Sequence, residues 1–371
     1  MVLVSKLPFG TQTPKPEPAM NPLQNVKLSM LDLVAVREGG TVADALKIAL
    51  RTAQHAESLG FTRYWVAEHH NMSGIASSAT AVIIGHIASG TRSMRVGSGG
   101  IMLPNHAPLV VAEAFGTLAE LYPNRIDLGL GRAPGTDQLT MRALRRDRVE
   151  GEEDFPRDVA ELQHLLGPVQ PGQRLVAMPG AGTNVPIWLL GSSLFSARLA
   201  AQRGLPYAFA SHFAPGLLLQ ALDLYRREFQ ASAVLAQPYT MIGVPLIAAP
   251  TWDEADYLAS STYQRIYGML TNRRGRLQPP VKDFLKQLDP QARAAIADFL
   301  SAAVIGAPET VLEGFTQLAR ATAADEFMLV SDVFDPALRL RSIGIAAEVI
   351  KSRAAGMQPK VERPLAADVG V

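Results

Sequence analysis

The feature of this chain that most constrains its fold is a regular alternation of short apolar runs with longer amphipathic stretches. The runs have the length and the β-branched and aromatic content of buried strands, and the stretches after them repeat apolar residues with a helical period. The strand candidates are 26–36, 63–67, 94–99, 125–130, 186–190, 207–210, 241–249 and 326–330. Eight strands, each followed by a helix, predict an α/β protein with a (β/α)8 TIM barrel; a doubly wound open sheet is the alternative.

Two segments are longer than a barrel connection requires. Residues 132–184 follow strand four and residues 271–307 follow helix seven, so we predict insertions at both places, as lids, binding loops or linkers. The proline-rich residues 1–25 predict a disordered leader, in which Met20 is an alternative start, and residues 354–371 predict a loosely ordered tail. We therefore expect one barrel domain over residues 26–353.

Composition excludes several classes of function. The net charge is +1 with both signs interspersed, so we expect neither a nucleic-acid nor a membrane partner. There is no cysteine, which excludes disulfides, thiolate metal ligands and cysteine nucleophiles and fits a reducing cytoplasm. No apolar run reaches the roughly 18 residues that a membrane-spanning helix needs. The sequence thus predicts a cytoplasmic globular protein.

Polar residues at the carboxyl ends of the strands are the candidate site, because a barrel of this kind carries its active site there. Glu68, His69 and His70 follow strand two, and we predict Glu68 as a cofactor contact. They lack the H-E-x-x-H spacing of a zinc site, and neighbours on an extended chain point to opposite sides, so we predict no metal. An imidazole suits proton transfer near neutral pH, which makes His69 the catalytic candidate; a loop histidine satisfied by hydrogen bonds is the alternative.

Small residues follow strand three. Ser98, Gly99 and Gly100 stand where the backbone can approach a flat ligand closely, because glycine has no side chain in the way. A simple β-bulge is the alternative interpretation.

A third candidate group has the pattern of a phosphate site. Gly191, Ser192 and Ser193 lie between strand five and a helix, where free N–H groups and the positive helix end attract an anion. The serines are equally suited to plain N-capping. Arg132, after strand four, adds a forked charged donor, although a surface ion pair would also explain it. Together these residues predict a site for a mononucleotide phosphate or a similar anion.

The remaining strand ends are apolar. Met102, Phe209 and Phe213, with His212 beside them, predict a pocket that an aldehyde or alkane chain would fill. No pair of carboxylates lies among the strand-end residues, which argues against glycoside hydrolysis.

The stretches "YWVAEHH", "VGSGGIMLPNHAPLVVAEAF" and "IWLLGSSLFSARLAAQRG" resemble the bacterial-luciferase-like flavin-dependent monooxygenases, in particular the small alkanal-monooxygenase-like branch. The resemblance covers most of residues 26–353. It implies a barrel that takes reduced FMN from a separate flavin reductase and lets it react with O2. The resulting flavin C4a-hydroperoxide would insert one oxygen atom into a small or medium organic substrate. The family also commonly forms homodimers.

Positions carry over from the family residue by residue. The resemblance implies that His69 is the catalytic histidine and that Gly99-Gly100 form a bulge with a cis peptide, against which the isoalloxazine ring packs. Arg132, Gly191 and Ser192 match the phosphate-binding residues, and 271–307 falls where the family carries a mobile lid.

This sequence also departs from the family pattern. Gly131 stands where luciferase has a reactive cysteine, so light emission is not expected, and "APGTD" after Arg132 lacks the luciferase aromatic near the flavin. Two other functions stay open: a flavin- or deazaflavin-dependent dehydrogenase, and a non-catalytic flavin-binding subunit. Fold alone does not choose among them.

Overall fold

Parallel strands close into a barrel in the computed structural model, which describes residues 21–133, 137–144 and 154–354. The strands are β1 Lys27–Asp32, β2 Arg63–Val66, β3 Arg95–Met102, β4 Ile126–Gly131, β5 Ile187–Gly191, β6 Tyr207–Phe209, β7 Thr240–Ala248, β8 Val304–Gly306 and β9 Glu326–Val330. Strands β1 to β7 pair in chain order, and β9 pairs with both β7 and β1. These eight strands form the predicted (β/α)8 barrel, and β8 only extends the end of β7.

Helices lie between the strands. They are α1 Val42–Ser58, α2 Thr80–Ser89, α3 Pro108–Leu121, α4 Gln138–Leu144, α5 Asp154–Leu166, α6 Leu194–Arg203, α7 Leu218–Glu228, α8 Trp252–Leu270, α9 Pro290–Phe299, α10 Pro308–Thr322 and α11 Pro336–Ala354. Local signals explain their ends: Thr41 and Asp44 form a capping box at the start of α1, and Gly204 ends α6 in the left-handed conformation. None of the described helices has both the length and the hydropathy needed to cross a bilayer.

Residues 1–20 and 355–371, which hold most of the predicted leader and all but the first residue of the predicted tail, lie outside the described part of the chain. Residues 21–25, at the end of the predicted leader, form a turn in which Leu23 is buried in the main core. The main core therefore includes a side chain that lies before the first strand.

The strands alternate between two apolar layers. In β2, Tyr64 and Val66 belong to the main core between barrel and helices, whereas Trp65 and Ala67 belong to a separate cluster. Members of that second cluster come from six of the eight barrel strands, so it fills the barrel interior. The alternation decides which side chains face the barrel mouth.

Charged residues occupy the end of the barrel interior at which the strands begin. Arg63 forms ion pairs with Asp127 at 2.8 Å and Glu326 at 2.7 Å, and Tyr239 donates to Glu326 at 2.9 Å. Arg95 also contacts Asp127, at 2.6 Å. Burial disfavours the charge on Arg63, but the carboxylates of Glu326 and Asp127 outweigh it and raise the arginine pKa. This network closes the end of the barrel opposite the predicted site.

The insertion after β7, which we call the excursion, begins one helix earlier than the predicted bounds 271–307. Helix α10 packs into the main core through Phe315, which stacks on Phe327 of β9, so α10 is the barrel helix between β7 and β9. Helix α8 instead packs through Ala255 and Leu258 into a separate cluster with Ile247 at the end of β7. The insertion thus contains α8 as well as residues 271–307, because the amphipathic period of α8 does not reveal which layer it covers.

The excursion is attached to the carboxyl end of the barrel. The Leu277 N–H donates to the Val36 carbonyl at 2.9 Å, and the Glu38 N–H donates to the Leu277 carbonyl at 2.8 Å. Gly74 packs directly against the backbone of Gly275. These contacts hold residues 274–277 against the loops that follow β1 and β2. Motion of the segment as a lid stays a prediction.

Candidate active site

His69 lies just beyond β2 on the side that faces the barrel interior. The alternation of Trp65 and Ala67 continues to His69, and its backbone N–H donates to the Ser77 carbonyl at 3.2 Å. Its Nδ1 atom is buried and has no hydrogen-bond partner among the described residues. Burial, assisted by the nearby charge of Arg265, lowers the pKa of His69 to about 4. The imidazole is therefore neutral near pH 7, with one ring nitrogen available to a ligand.

His212 brings a second neutral imidazole to the mouth. It follows β6 and packs against Gly243 of β7, where any side chain would collide with its ring. Its Nδ1 is also buried without a partner within the described chain. Burial, then Arg265 and His69, lower the pKa of His212 to about 4. Arg265 acts on the pKa of both imidazoles, and His69 acts on that of His212, so the three side chains share one region.

Arg265 and Asp332 complete this region, and the sequence analysis missed both. The Arg265 Nη2 atom on α8 lies 2.6 Å from the Asp332 carboxylate, just after β9. The rule that selects strand-end residues would have found Asp332. No sequence signal identifies Arg265, because it lies in the middle of a helix of the excursion.

Glu68 points to the opposite side of the strand from His69. Its Oε1 lies 2.8 Å from Nε2 of both His70 and His106, and its Oε2 accepts from the Met102 N–H at 3.0 Å. Burial disfavours the carboxylate, but the hydrogen bonds from His106 and His70 lower its pKa. Glu68 thus ties the ends of β2 and β3 together through groups of the chain itself, and its contact with a cofactor stays a prediction.

The same three side chains have the composition of a metal-ligand set. Ligand atoms of Glu68, His70 and His106 lie within 4.8 Å of one another. The sequence predicts no metal and gives no signal for this cluster, because His106 is 36 residues further along the chain from His70. The 2.8 Å contacts have hydrogen-bond length, and a carboxylate that accepts from two imidazoles explains them fully.

A bulge ends β3, and its Gly99–Gly100 peptide is cis, as the resemblance implied. The pairing with β4 shifts register between Ser98 and Ile101. The Ser98 hydroxyl donates to the Gly129 carbonyl at 2.9 Å and accepts from the Gly129 N–H at 3.0 Å. Ser98 therefore supports the bulge from inside the sheet, and its contact with a cofactor stays a prediction.

The two glycines leave no room for side chains. A Cβ on Gly99 would lie 2.7 Å from a methyl group of Leu31, and one on Gly100 would lie 2.8 Å from the Gly129 carbonyl oxygen. The backbone can pack this closely only without side chains at both positions.

The structure brings the predicted phosphate residues together. The guanidinium of Arg132 lies 4.2 Å from the ring centroid of Phe195, in the first turn of α6. Ser193 is the N-cap of that helix, but its side chain makes no capping hydrogen bond, and Ser192 precedes it. Gly191 ends β5 immediately before them. The free helix N-terminus, two hydroxyls and one guanidinium thus form an arrangement suited to an anion.

The structure places the residues of the predicted apolar pocket in different surroundings. Phe209 is 1% exposed and packs in the main core between barrel and helices, so it does not line the mouth. The reason is the strand phase, since its neighbour Ala208 takes the inward position. Phe213 is 54% exposed, and its ring contacts Phe299 of α9. Met102 is half-buried at the end of β3.

Comparison with known sequences assigns the chain to a family. Residues 26–325 match the luciferase-like monooxygenase family. A luciferase-like monooxygenase of Escherichia coli K12 is 47% identical over 326 residues, which cover 88% of this chain and 97% of the relative. An N-acetyl-S-alkylcysteine monooxygenase of Bacillus subtilis is 41% identical over 210 residues, 56% of this chain and 62% of the relative. The chain belongs to the luciferase-like monooxygenases and is an enzyme of the flavin-dependent monooxygenase class.

Solved structures share its fold. The apo structure of MsnO8 is 33% identical, with a TM-score of 0.78 over 90% of this chain and 100% of that one. The oxygenating constituent of 3,6-diketocamphane monooxygenase of Pseudomonas putida, in complex with FMN, has a TM-score of 0.67 at 17% identity, over 91% of this chain and all of that one. An F420-dependent secondary alcohol dehydrogenase has a TM-score of 0.63 at 15% identity, over 87% and 99%. Barrels of this fold thus bind FMN or F420.

Proposed function

We propose that this chain is the oxygenase of a two-component system, which takes reduced FMN from a separate flavin reductase and oxygenates an organic substrate. The observation that carries the proposal is the arrangement at the barrel mouth: an anion-suited arrangement at the start of α6, after β5, and the buried, unpartnered Nδ1 of His69, after β2. Groups that suit an anion on one side and an inward-facing polar atom on the other fit a phosphorylated, flat cofactor such as FMN.

The chain's own groups have separable tasks. Arg132 and the N-terminus of α6 would hold the phosphate, and the bulge with the cis Gly99–Gly100 peptide would lie beside the flat ring. Bound reduced FMN supplies the two electrons with which O2 gives one oxygen atom to a substrate and the other to water. His69, neutral at pH 7, can hold or pass a proton at Nδ1, and the excursion over the mouth limits the access of water.

The type of substrate and the partner proteins belong to the same proposal. Aldehyde- or alkane-like molecules stay candidate substrates, and the N-acetylated thioether amino acid named for the Bacillus relative adds a second type. A transient reductase, a homodimer and a cytoplasmic location stay predictions.

The test is to bind photoreduced FMN without oxygen and mix the complex with O2 in a stopped-flow instrument. We expect the oxidised-flavin absorbance to return with a lag that free FMN lacks, because the site excludes water, and His69→Gln to bind FMN but shorten the lag. Reoxidation in a single phase at the rate of free FMN would contradict an oxygenase and favour a dehydrogenase or a binding subunit.

A further inference from the structure

Helix α8 carries two buried hydroxyls with no partner. Within the described chain, Ser261 Oγ and Thr262 Oγ1 make no hydrogen bond. A helical serine or threonine ordinarily bonds the carbonyl one turn back. Thr52, Thr316 and Thr322 all do so here, at 2.8, 2.7 and 2.6 Å from the carbonyl four residues earlier. The two hydroxyls of α8 are therefore available to another group.

These hydroxyls share a helix face with Arg265. Residues three and four apart are neighbours on a helix surface, so Ser261 and Thr262 each lie next to Arg265. The Arg265 Nε is also buried and unpartnered, and this residue influences the pKa values of both His69 and His212. Among the described residues, seven buried side-chain polar atoms lack a partner, and five of them belong to these five residues.

Such a concentration indicates a ligand. An unpartnered buried polar atom costs about 1–3 kcal/mol, and native structures contain few of them. The His212 Nδ1 packs against Gly243, but the other four atoms, on α8 and His69, would still be a large penalty unless a bound molecule contacts them. The ion pair of Arg265 with Asp332, just after β9, places that molecule at the barrel mouth.

The chemistry of the five atoms identifies the type of ligand. The Arg265 Nε–H can only donate, and the hydroxyls and neutral imidazoles can donate as well. Asp332 neutralises the charge of Arg265, while Arg274 adds a positive charge that acts on His69. The region therefore favours an acceptor-rich group with a single negative charge, which is the description of a carboxylate.

We propose that Ser261, Thr262 and Arg265 of α8 form a subsite at the barrel mouth that binds the carboxylate of a monoanionic organic substrate. The inference rests on the proposed function only in assigning this carboxylate to the substrate. Asp332 is a positioning residue here, because its ion pair aims the Arg265 side chain across the mouth.

Calorimetric titration of the FMN-free protein tests the subsite without any turnover. The probes are hexanoate and its neutral match hexanamide. We expect hexanoate to bind about tenfold more tightly, the ratio that corresponds to a hydrogen bond to a charged group. Equal affinity, or no binding of hexanoate, would overturn the proposal.

Variants locate the binding. Arg265→Met should abolish the preference for hexanoate, and Thr262→Val should weaken hexanoate binding about threefold to tenfold. Thr271→Val is the matched control at the end of the same helix, because its hydroxyl bonds the Tyr267 carbonyl and should not contribute. If Arg265→Met does not fold, Thr262→Val with Ser261→Ala decides the question.

A second titration separates the substrate from the cofactor. The same variants are titrated with oxidised FMN, and we expect affinity within twofold of wild type. Weaker FMN binding with unchanged hexanoate binding would show that these atoms hold the flavin, which overturns the subsite. A single-phase reoxidation in the oxygen experiment, with hexanoate binding intact, would instead reject the oxygenase and keep the carboxylate site.

Discussion

Two buried imidazoles set the chemistry of the barrel mouth at the scale of single residues. His69 and His212 come from different strands, yet each is kept neutral by burial and by the charge of Arg265. A neutral imidazole both accepts and donates, whereas an imidazolium only donates. The roles of His69 and His212 therefore depend on their burial, and burial is set by the packing around a residue and not by its type.

Stability should depend on pH through these two histidines. Their pKa is about 4 in the folded chain and about 6.5 when exposed, so between these values the unfolded chain binds more protons. The free energy of unfolding should accordingly fall as pH is lowered from 6.5 to 4. Around His69, Arg265, Arg274 and His70 oppose protonation and Glu68 favours it.

Denaturant unfolding at several pH values measures this dependence. His212→Gln should flatten the curve between pH 6.5 and 4, whereas His86→Gln, an exposed histidine on α2, should leave it unchanged. A wild-type curve that is flat over this window would contradict the neutral imidazoles.

Arg132 should control the affinity for FMN. Arg132→Ala removes the guanidinium beside the start of α6 and should weaken FMN binding by about 1.5–3 kcal/mol, the value of a hydrogen bond to a charged group. Fluorescence titration with oxidised FMN measures it. Arg198→Ala, on the exposed side of α6, is the control; unchanged affinity in Arg132→Ala would remove this residue from the phosphate site.

At the scale of elements, the excursion after β7 determines what covers the mouth. Helix α8 supplies polar groups, and the segment at Leu277 is hydrogen-bonded to residues 36–38. The order of strands and helices predicts where the excursion lies, but its attachment to the loop after β1 joins residues about 240 positions apart. Such contacts depend on the packed tertiary structure.

Gly74→Ala should loosen this attachment. A Cβ at Gly74 would collide with the backbone of Gly275, so we expect faster amide hydrogen exchange at Leu277 and Glu38. Gly216→Ala is the matched control, because nothing lies near a Cβ there. Unchanged exchange in Gly74→Ala would show that the contact does not hold the segment.

At the scale of the whole molecule, the charge network opposite the mouth closes the barrel. Asp127 is fully buried and contacts Arg63, Arg95 and the Trp65 ring nitrogen, the last at 3.2 Å. A buried charge left without its partner is far more costly than a lost surface pair. The network therefore matters to stability although it is remote from the site.

Asp127→Asn should lower the free energy of unfolding by about 3 kcal/mol or more, because the buried Arg63 and the half-buried Arg95 lose a carboxylate. Asp223→Asn, which breaks an exposed pair with Arg227, should cost less than about 1 kcal/mol. Denaturant unfolding compares the two, and FMN affinity should be unchanged in both. A small effect of Asp127→Asn would mean that water or neighbours replace the carboxylate.

The sequence by itself determined the barrel and the strand-end positions of His69, Arg132 and residues 191–193, because periodicity is local and parallel strands end on one side. Only the tertiary structure decided which of these side chains face inward. In a three-residue strand such as β6, the phase that turns Phe209 outward comes from neighbouring strands. The tertiary structure also decided that Arg265 reaches the mouth. The packing of α8 on the end of β7 brings its residues to the barrel, and no sequence pattern connects the two.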